Sequence, residues 1–378
     1  MLRYLLNDFV IQEQVCNLRC VYCLNFENEL KGVVPWTAQE RPDLSNGGAG
    51  FVQAKAMLEN AAQYGDAPIL KLSGGEIFSL PGAMDFIEWA SERWDRVQIL
   101  TNATLFNEPR IARLKRLGNV NLCLSLDGST PEANALRTPA PRLAMRIIDG
   151  VRAVVQAGIP CEIYTVVTGH NYRHMDELVA WLAGLARGAD LRFVPFPIRG
   201  EAARKFAAPA DAAAVFQGFA ERNTAMAEVL LPAVYYDILG AYYDAGRRTR
   251  RCRIPLTHLQ SFDDGVIAAC PNCWSSAIGN LAKEGDPFAE IGRAKIQRLF
   301  LKDTPRVPFC RNCITPFDIV NLYFDGEVSD AEMQAIDLFR TPAVMNRLRV
   351  LKRSAGRDAV AFRDVAMLPE VGEALYVL

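Results

Sequence analysis

The sequence predicts an α/β fold in which a parallel sheet covered by helices is followed by a smaller C-terminal part. From residue 9 to residue 196, short apolar runs rich in β-branched residues alternate with amphipathic helical stretches, as in repeated strand–helix units. Six strand–helix units would form three quarters of a barrel. In such a barrel the reacting groups are expected in the loops after the carboxyl ends of the strands. The predicted strands are Phe9–Ile11, Ile69–Leu72, Val97–Leu100, Val120–Leu126, Cys161–Val167 and Leu191–Phe196.

The intervening helices carry ordinary start and stop signals. Apolar residues at helical spacing precede Gly65 and Gly118, and glycine suits a helix C-terminal stop. Near the end of the chain, Thr341-Pro342 suits the cap and first turn of another helix. We expect the barrel over residues 1–200, a helical bridge over 201–250, a cysteine-containing domain over 251–320 and a helical tail over 321–378.

Composition and charge indicate a cytoplasmic enzyme. The 378 residues are 50% hydrophobic and carry a net charge of −1, with no polybasic run that would indicate a nucleic-acid or membrane-surface partner. No apolar run reaches the ~20 residues of a membrane span, and residues 1–8 turn acidic too early for a signal peptide. Ten cysteines beside only three histidines favour thiolate metal sites over disulfides or a histidine site.

Three of these cysteines stand close together directly after the first predicted strand. Cys16, Cys20 and Cys23 follow a C-x3-C-x2-C spacing. A 4Fe–4S cube needs four ligands, so three thiols on one loop leave one iron open for another ligand. The alternative is a zinc site, but structural zinc takes four protein ligands and no fourth cysteine or histidine lies nearby in the sequence.

This motif and its context resemble the radical S-adenosylmethionine (radical SAM) superfamily. The resemblance implies a (β/α)6 partial TIM barrel, S-adenosyl-L-methionine chelated to the open iron, and a catalytic 4Fe–4S cluster. It also implies reductive cleavage of this cofactor to a 5′-deoxyadenosyl radical, which removes a hydrogen atom from a substrate. A reducing partner such as flavodoxin or ferredoxin is then expected.

The resemblance also predicts which residues bind the cofactor. Gly74-Gly75-Glu76 resembles the G-G-E motif that binds the cofactor's ammonium group, although a glycine pair is also compatible with a plain turn. Arg137, or alternatively Arg142, would hold the carboxylate through two charge-assisted bonds. The remaining residues are expected at the carboxylate, ribose or adenine, and they are Tyr22, Asn102, Ser125, Asp127, Glu162 and Asn171. For Tyr22, core packing is the alternative.

A second cysteine group lies near the C-terminus. Twelve residues separate Cys252 from Gly265, four more lead to Cys270, and Cys310-x2-Cys313 follows later. This arrangement resembles the SPASM and twitch extensions that hold auxiliary 4Fe–4S clusters. No cysteine follows Cys313, which favours the twitch type, with one auxiliary 4Fe–4S cluster on Cys252, Cys270, Cys310 and Cys313. A structural zinc on these pairs is the alternative.

Cys273 is additional to this pattern. It is a candidate catalytic thiol that donates hydrogen to a substrate radical, a replacement for Cys270 as a ligand, or an inert buried thiol.

A cluster with four protein ligands has no vacancy for a substrate, so the expected reaction uses it to remove an electron. We therefore expect a radical SAM oxidoreductase that dehydrogenates a small polar molecule in natural-product biosynthesis. The alternatives are crosslinking or epimerisation of a ribosomally synthesised peptide, redox-neutral sugar deamination or decarboxylation, and a zinc or iron–sulfur scaffold or sensor without turnover. The fifteen residues before Cys16 are shorter than a peptide-recognition domain, which favours the small molecule.

Overall fold

Nine strands of the chain form one sheet. The computed structural model describes residues 2–12, 15–24, 49–270, 273–282, 285–287 and 308–365. Strands β1 and β3 pair separately, and the other strands follow the order β11-β10-β9-β2-β4-β5-β6-β7-β8. The strands are β1 Leu2–Arg3, β2 Leu6–Ile11, β3 Gly65–Asp66, β4 Ile69–Gly74, β5 Arg96–Thr101, β6 Val120–Ser125, β7 Cys161–Val167, β8 Leu191–Pro197, β9 His258–Phe262, β10 Val266–Cys270 and β11 Cys273–Asn280.

The six predicted strands are confirmed as β2, β4, β5, β6, β7 and β8, and each pairs in parallel with the next. A helix separates each successive pair of these strands along the chain, which makes the connections of a parallel α/β fold. These helices are α1 Ala49–Tyr64, α2 Ala83–Ser91, α3 Glu108–Leu117, α4 Pro141–Gln156 and α5 Met175–Ala186.

Among the described residues, four α-helices occupy the predicted bridge and five more follow toward the C-terminus. The bridge contains α6 Ala203–Phe206, α7 Ala212–Phe216, α8 Phe219–Arg222 and α9 Ala233–Ala245. Beyond it lie α10 Ile254–Thr257, α11 Pro308–Arg311, α12 Asp318–Asp325, α13 Asp330–Gln334 and α14 Pro342–Val365. Among the described residues, no helix combines the length and the apolar character needed to span a bilayer.

The C-terminal part extends the sheet of the barrel. β9 pairs in parallel with β2, from Leu6 opposite His258 to Val10 opposite Phe262. β10 and β11 continue as an antiparallel hairpin in which Cys270 stands opposite Cys273. The backbone groups at the outer edge of β2 thereby find partners, which a lone edge strand would leave unpaired. The cysteine-containing part therefore lies against the first barrel strand.

A row of buried polar side chains crosses the sheet at one level. The register places Gln260, Asp8, Lys71 and Gln98 on four neighbouring strands, one beside the next. All four side chains are buried. Burying a polar group costs free energy unless the group is paired, so such residues are uncommon in an ordinary core. This row therefore indicates a site.

Candidate active site

A cavity of about 260 Å³ lies where the carboxyl ends of the barrel strands meet. The three motif cysteines line it. Six of the residues that the sequence predicts for the cofactor also line it, and they are Tyr22, Gly74, Gly75, Asn102, Ser125 and Arg137. The structure thus brings the cysteine loop and the ends of the six parallel barrel strands to one surface.

The glycine pair lets two loops lie in direct contact. Gly74 has a φ of +137°, and a Cβ atom there would stand 1.9 Å from the carbonyl oxygen of Ile11. A Cβ atom on Gly75 would stand 2.1 Å from the carbonyl oxygen of Val15. The backbone N–H of Glu76 donates to that same oxygen at 2.8 Å. Glycine is required here because the loop after β4 packs against the backbone that leads into the cysteine loop.

Glu76 is not among the described residues that line the cavity, and the ammonium contact expected of its carboxylate stays a prediction. Its side chain is buried and accepts hydrogen bonds from the Thr101 hydroxyl at 2.8 Å and the Asn102 backbone N–H at 2.7 Å. Burial raises the pKa of this carboxyl, and these bonds oppose the rise. The Glu76 oxygens are directed at the loop after β5, and Glu76 thereby positions that loop.

Asn102 connects this loop to the cysteines. Its side-chain amide donates to the Asn17 side-chain oxygen at 2.8 Å and contacts the Cys16 sulfur at 3.8 Å. Its own oxygen accepts from the backbone N–H of Thr104 at 3.0 Å. Since the oxygen is occupied in this way, the NH₂ group must face the cysteine loop.

Arg137 offers the site a buried cation. Its guanidinium donates to Asp127 at 2.8 Å and lies 5.5 Å from the ring of Tyr22. Asp127 is itself held in place, because it accepts from the Tyr22 hydroxyl and from the Val166 backbone N–H. The Nε atom of Arg137 is buried without a hydrogen-bond partner among the described residues. A buried N–H group at a cavity wall fits an anionic ligand such as a carboxylate.

Partial burial affects the protonation of two of the motif cysteines. Burial raises the pKa of Cys20 to about 12 and also raises that of Cys16, so both thiols are neutral until a metal displaces the proton. Among the described residues, no three His, Cys, Asp or Glu side chains surround a single metal-ion position. In a cubane each cysteine binds a different iron, so its thiols stand farther apart than the ligands of one ion.

Two residues predicted near the ribose or adenine lie elsewhere. Glu162 is the second residue of β7, deep in the barrel, where it accepts from Gln98 at 3.3 Å and burial raises its pKa to about 7. The side-chain amide of Asn171 donates to the carbonyl oxygens of Asp127 and Val166, at 3.0 and 2.9 Å. Neither residue lines the cavity. Glu162 lies too near the start of its strand, and the turn after β7 directs the Asn171 side chain to backbone carbonyl groups.

A charged pair that the sequence analysis missed lines the same cavity as the cysteines. The Lys71 ammonium lies 3.3 Å from the Asp8 carboxylate, and both side chains are less than a tenth exposed. The Ser73 hydroxyl donates to Asp8 at 2.5 Å, and Lys71 stands over the Phe317 ring at 5.0 Å. The available signal was a charged residue within each of two strands of mainly apolar residues, at Asp8 in β2 and at Lys71 in β4.

A buried arginine holds two of the C-terminal cysteine segments together. Arg248 donates to the carbonyl oxygen of Cys313 at 2.8 Å and pairs with Asp318 at 2.5 Å. Its backbone N–H donates to the carbonyl oxygen of Arg311 at 2.6 Å. Burial raises the pKa of Cys252 to about 11, and the charge of Arg248 opposes that rise.

The other two predicted auxiliary ligands, Cys310 and Cys270, lie in different elements of secondary structure. Cys310 lies in α11, three residues before Cys313, and the carbonyl oxygen of Cys310 accepts from the Cys313 backbone N–H at 3.3 Å. Cys270 is buried at the end of β10. The side chain of Cys273, the candidate catalytic thiol, lies outside the described residues.

The C-terminal cysteine segments border the same cavity. Ile254 lines it two residues after Cys252, and Thr315, Pro316 and Phe317 line it directly beyond Cys313. Segments that adjoin Cys252 and Cys313 therefore share one cavity with the three motif cysteines.

Similar proteins carry the same kind of domain. Residues 13–182 match the family model described as the Radical SAM superfamily. An AdoMet-dependent heme synthase of Methanosarcina barkeri is 26% identical over 162 residues, which are 43% of this chain and 42% of that protein. The PqqA peptide cyclase of Gluconobacter oxydans is 28% identical over 179 residues, which are 46% of this chain and 44% of that protein. The chain spans less than half the length of these two curated relatives.

A solved structure has a similar fold. The structure of native anSMEcpe with bound AdoMet and Cp18Cys peptide superimposes with a TM-score of 0.52 at 16% identity, covering 78% of this chain and 82% of that chain. The predicted α/β partial barrel is thereby confirmed, and the family's cofactors are S-adenosylmethionine and a 4Fe–4S cluster. Residues 13–182, which match the Radical SAM superfamily model, carry the three-cysteine loop and most of the described cavity wall.

Proposed function

We propose that the chain is a radical SAM enzyme that oxidises a small polar substrate by two electrons. The observation that carries this proposal is the position of the C-terminal cysteine segments on the wall of the cavity that the three motif cysteines also line. A cluster held by the segments that carry Cys252 and Cys313 would adjoin the space for a substrate and would be placed to accept the second electron. One auxiliary 4Fe–4S cluster on Cys252, Cys270, Cys310 and Cys313 is part of the proposal.

In this proposal, the residues that line the cavity near the cysteine loop bind the cofactor and its cluster. Cys16, Cys20 and Cys23 hold the catalytic cluster, and Gly74 and Gly75 admit the methionine moiety close to the backbone. The carboxylate of that moiety binds Arg137, whose Nε is buried without a partner among the described residues, and the Ser125 hydroxyl adjoins it. When bound, this cofactor and its cluster supply the 5′-deoxyadenosyl radical that removes a hydrogen atom from the substrate.

The Asp8–Lys71 pair on the cavity wall favours a polar substrate. Oxidation of an alcohol or amine carbon removes one hydrogen atom, one proton and one electron. Among the described residues that line the cavity, Asp8 is the one carboxylate, so it is the group placed to accept the proton. Lys71 pairs with Asp8 at 3.3 Å and offers further N–H donors to a substrate oxygen.

Anaerobic reconstitution tests the number of clusters. The wild-type protein should bind about eight irons and, on reduction by flavodoxin or dithionite, form 5′-deoxyadenosine. A variant with Cys16, Cys20 and Cys23 changed to alanine should keep about four irons and lose cleavage. Changing Cys252 and Cys313 to alanine should also leave about four irons but retain cleavage. Cys161→Ala, a buried core thiol in β7, is the matched control and should keep both clusters.

Two results would contradict this part of the proposal. Bound zinc without cofactor cleavage would favour a scaffold or sensor over an enzyme. Full iron content after the loss of Cys252 and Cys313 would remove the auxiliary cluster and, with it, the route for the second electron.

Deuterium transfer tests the reaction. A deuterated substrate should pass one deuterium into 5′-deoxyadenosine, and its product should lack two hydrogens. A product that retains those hydrogens would instead favour redox-neutral deamination or decarboxylation.

Modification of a peptide is the second candidate function. It is favoured by the 28% identity to a peptide cyclase, although the match covers less than half of either chain. The same deuterium assay distinguishes the two, since a peptide that carries the label into 5′-deoxyadenosine and gains a crosslink would replace the small molecule as the substrate.

A further inference from the structure

The geometry points to Asn321 as the residue that raises the reduction potential of the auxiliary cluster, through an amide N–H···S hydrogen bond to Cys252. This inference rests on the proposed auxiliary cluster. It concerns a helix residue that belongs to neither cysteine motif. The side-chain nitrogen of Asn321 lies 3.9 Å from the Cys252 sulfur, within hydrogen-bonding distance for sulfur.

The orientation of the amide follows from its neighbours. The Asn321 side-chain oxygen accepts from the Arg253 backbone N–H at 2.8 Å, which requires an oxygen on that side. The nitrogen also donates to Asp318 at 2.7 Å. A primary amide has two N–H groups, so one serves Asp318 and the other serves Cys252. The reversed amide would direct its oxygen at a carboxylate and a sulfur and its NH₂ group at an N–H donor.

The frame around the amide is fixed as well. Asp318 accepts from Arg248 at 2.5 and 3.1 Å and from the Thr315 backbone N–H at 2.7 Å. Asn321, Asp318 and Arg248 are each less than a twentieth exposed. Satisfied buried networks of this kind are rigid, so the amide N–H is held toward Cys252.

The direction of the effect follows from charge. Reduction adds one negative charge to a cluster, and an N–H donor to a ligand sulfur stabilises the more negative form. Hydrogen bonds to the sulfurs are among the features that set the reduction potentials of iron–sulfur clusters. The bond from Asn321 therefore raises the potential, which suits a cluster that accepts an electron from a substrate radical.

The test is a redox titration followed by electron paramagnetic resonance. It uses the reconstituted full chain in which Cys16, Cys20 and Cys23 are alanine, so that the auxiliary cluster alone gives a signal. Asn321→Leu, which matches asparagine in size but has no amide, should lower the midpoint potential with iron content unchanged at about four. Glu327→Gln alters an exposed pair with Arg250 and should leave the potential unchanged. An unchanged potential in Asn321→Leu at full iron content would overturn the inference.

A second measurement needs no substitution at Asn321. Resonance Raman spectra of the same protein in H₂O and D₂O should show a shift in the iron–thiolate bands, because the amide proton on the Cys252 sulfur exchanges. Absence of that shift in a cluster-loaded sample would overturn the inference even if Asn321→Leu failed to fold. If no iron binds to this protein at all, the proposed auxiliary cluster fails, which is a different result from an unchanged potential.

Discussion

Replacing Arg248 by methionine should destabilise the protein strongly. Arg248 and Asp318 are joined at 2.5 and 3.1 Å, and both side chains are 2% exposed. Removing one partner of a buried ion pair costs about 3–5 kcal/mol, because the remaining charge is left uncompensated. We therefore expect Arg248→Met to lower the free energy of unfolding by about 4 kcal/mol.

Equilibrium unfolding of the cluster-free protein in guanidinium chloride, followed by circular dichroism under reducing conditions, measures this loss. Arg113→Met is the matched control. Its pairs with Asp85 and Glu88 involve side chains that are 33–75% exposed, and such pairs contribute about 0–1 kcal/mol. Combining Arg248→Met with Asp318→Asn removes both charges and should recover part of the loss. A loss below about 1 kcal/mol for Arg248→Met alone would refute the reasoning.

Three further substitutions test other parts of the structure. Burial raises the pKa of Glu162 from 4.5 to about 7, so the folded state retains a proton that the unfolded state releases, and stability falls as pH rises between these values. In unfolding titrations from pH 4.5 to 7, Glu162→Gln should therefore gain up to about 3 kcal/mol relative to wild type, whereas a constant difference would contradict the buried carboxyl. Gly75→Ala places a Cβ 2.1 Å from the Val15 carbonyl oxygen and should cost about 1–3 kcal/mol in thermal unfolding and reduce iron incorporation, and an unaltered iron content would argue against loop packing. In anaerobic equilibrium binding, Arg137→Met should weaken S-adenosylmethionine by roughly 10–100-fold, while the exposed Arg142→Met should have no effect, and equal effects of the two would exclude Arg137 as the carboxylate ligand.

Much of the fold and of the cofactor half of the site could be predicted because their signals are local. Apolar β-branched runs indicated the six barrel strands. Since parallel strands bring their carboxyl ends to one edge, the cysteine loop, the glycine pair after β4 and Asn102 after β5 were expected together, and all line one cavity.

The remaining features depend on register and on distant pairs. Asp8 and Lys71 lie 63 residues apart and meet only because they stand opposite one another in β2 and β4. Glu162 was expected at the cavity, but where a strand begins decides how deep a side chain lies.

The C-terminal part shows the same limitation. Asp318 pairs with a residue 70 positions earlier, and no local pattern in the sequence indicates that contact. The pairing of β9 with β2 likewise joins segments about 250 residues apart, which only the folded sheet reveals.

The most direct test of the central claim is the electron paramagnetic resonance spectrum of the reduced, reconstituted wild-type protein with and without S-adenosylmethionine. Three protein ligands leave one iron of the catalytic cluster open, so the cofactor should bind that iron and change the signal. The Cys252 and Cys313 double-alanine variant should show the same change. A spectrum that the cofactor leaves unaltered, as for a cluster with four protein ligands, would contradict the account.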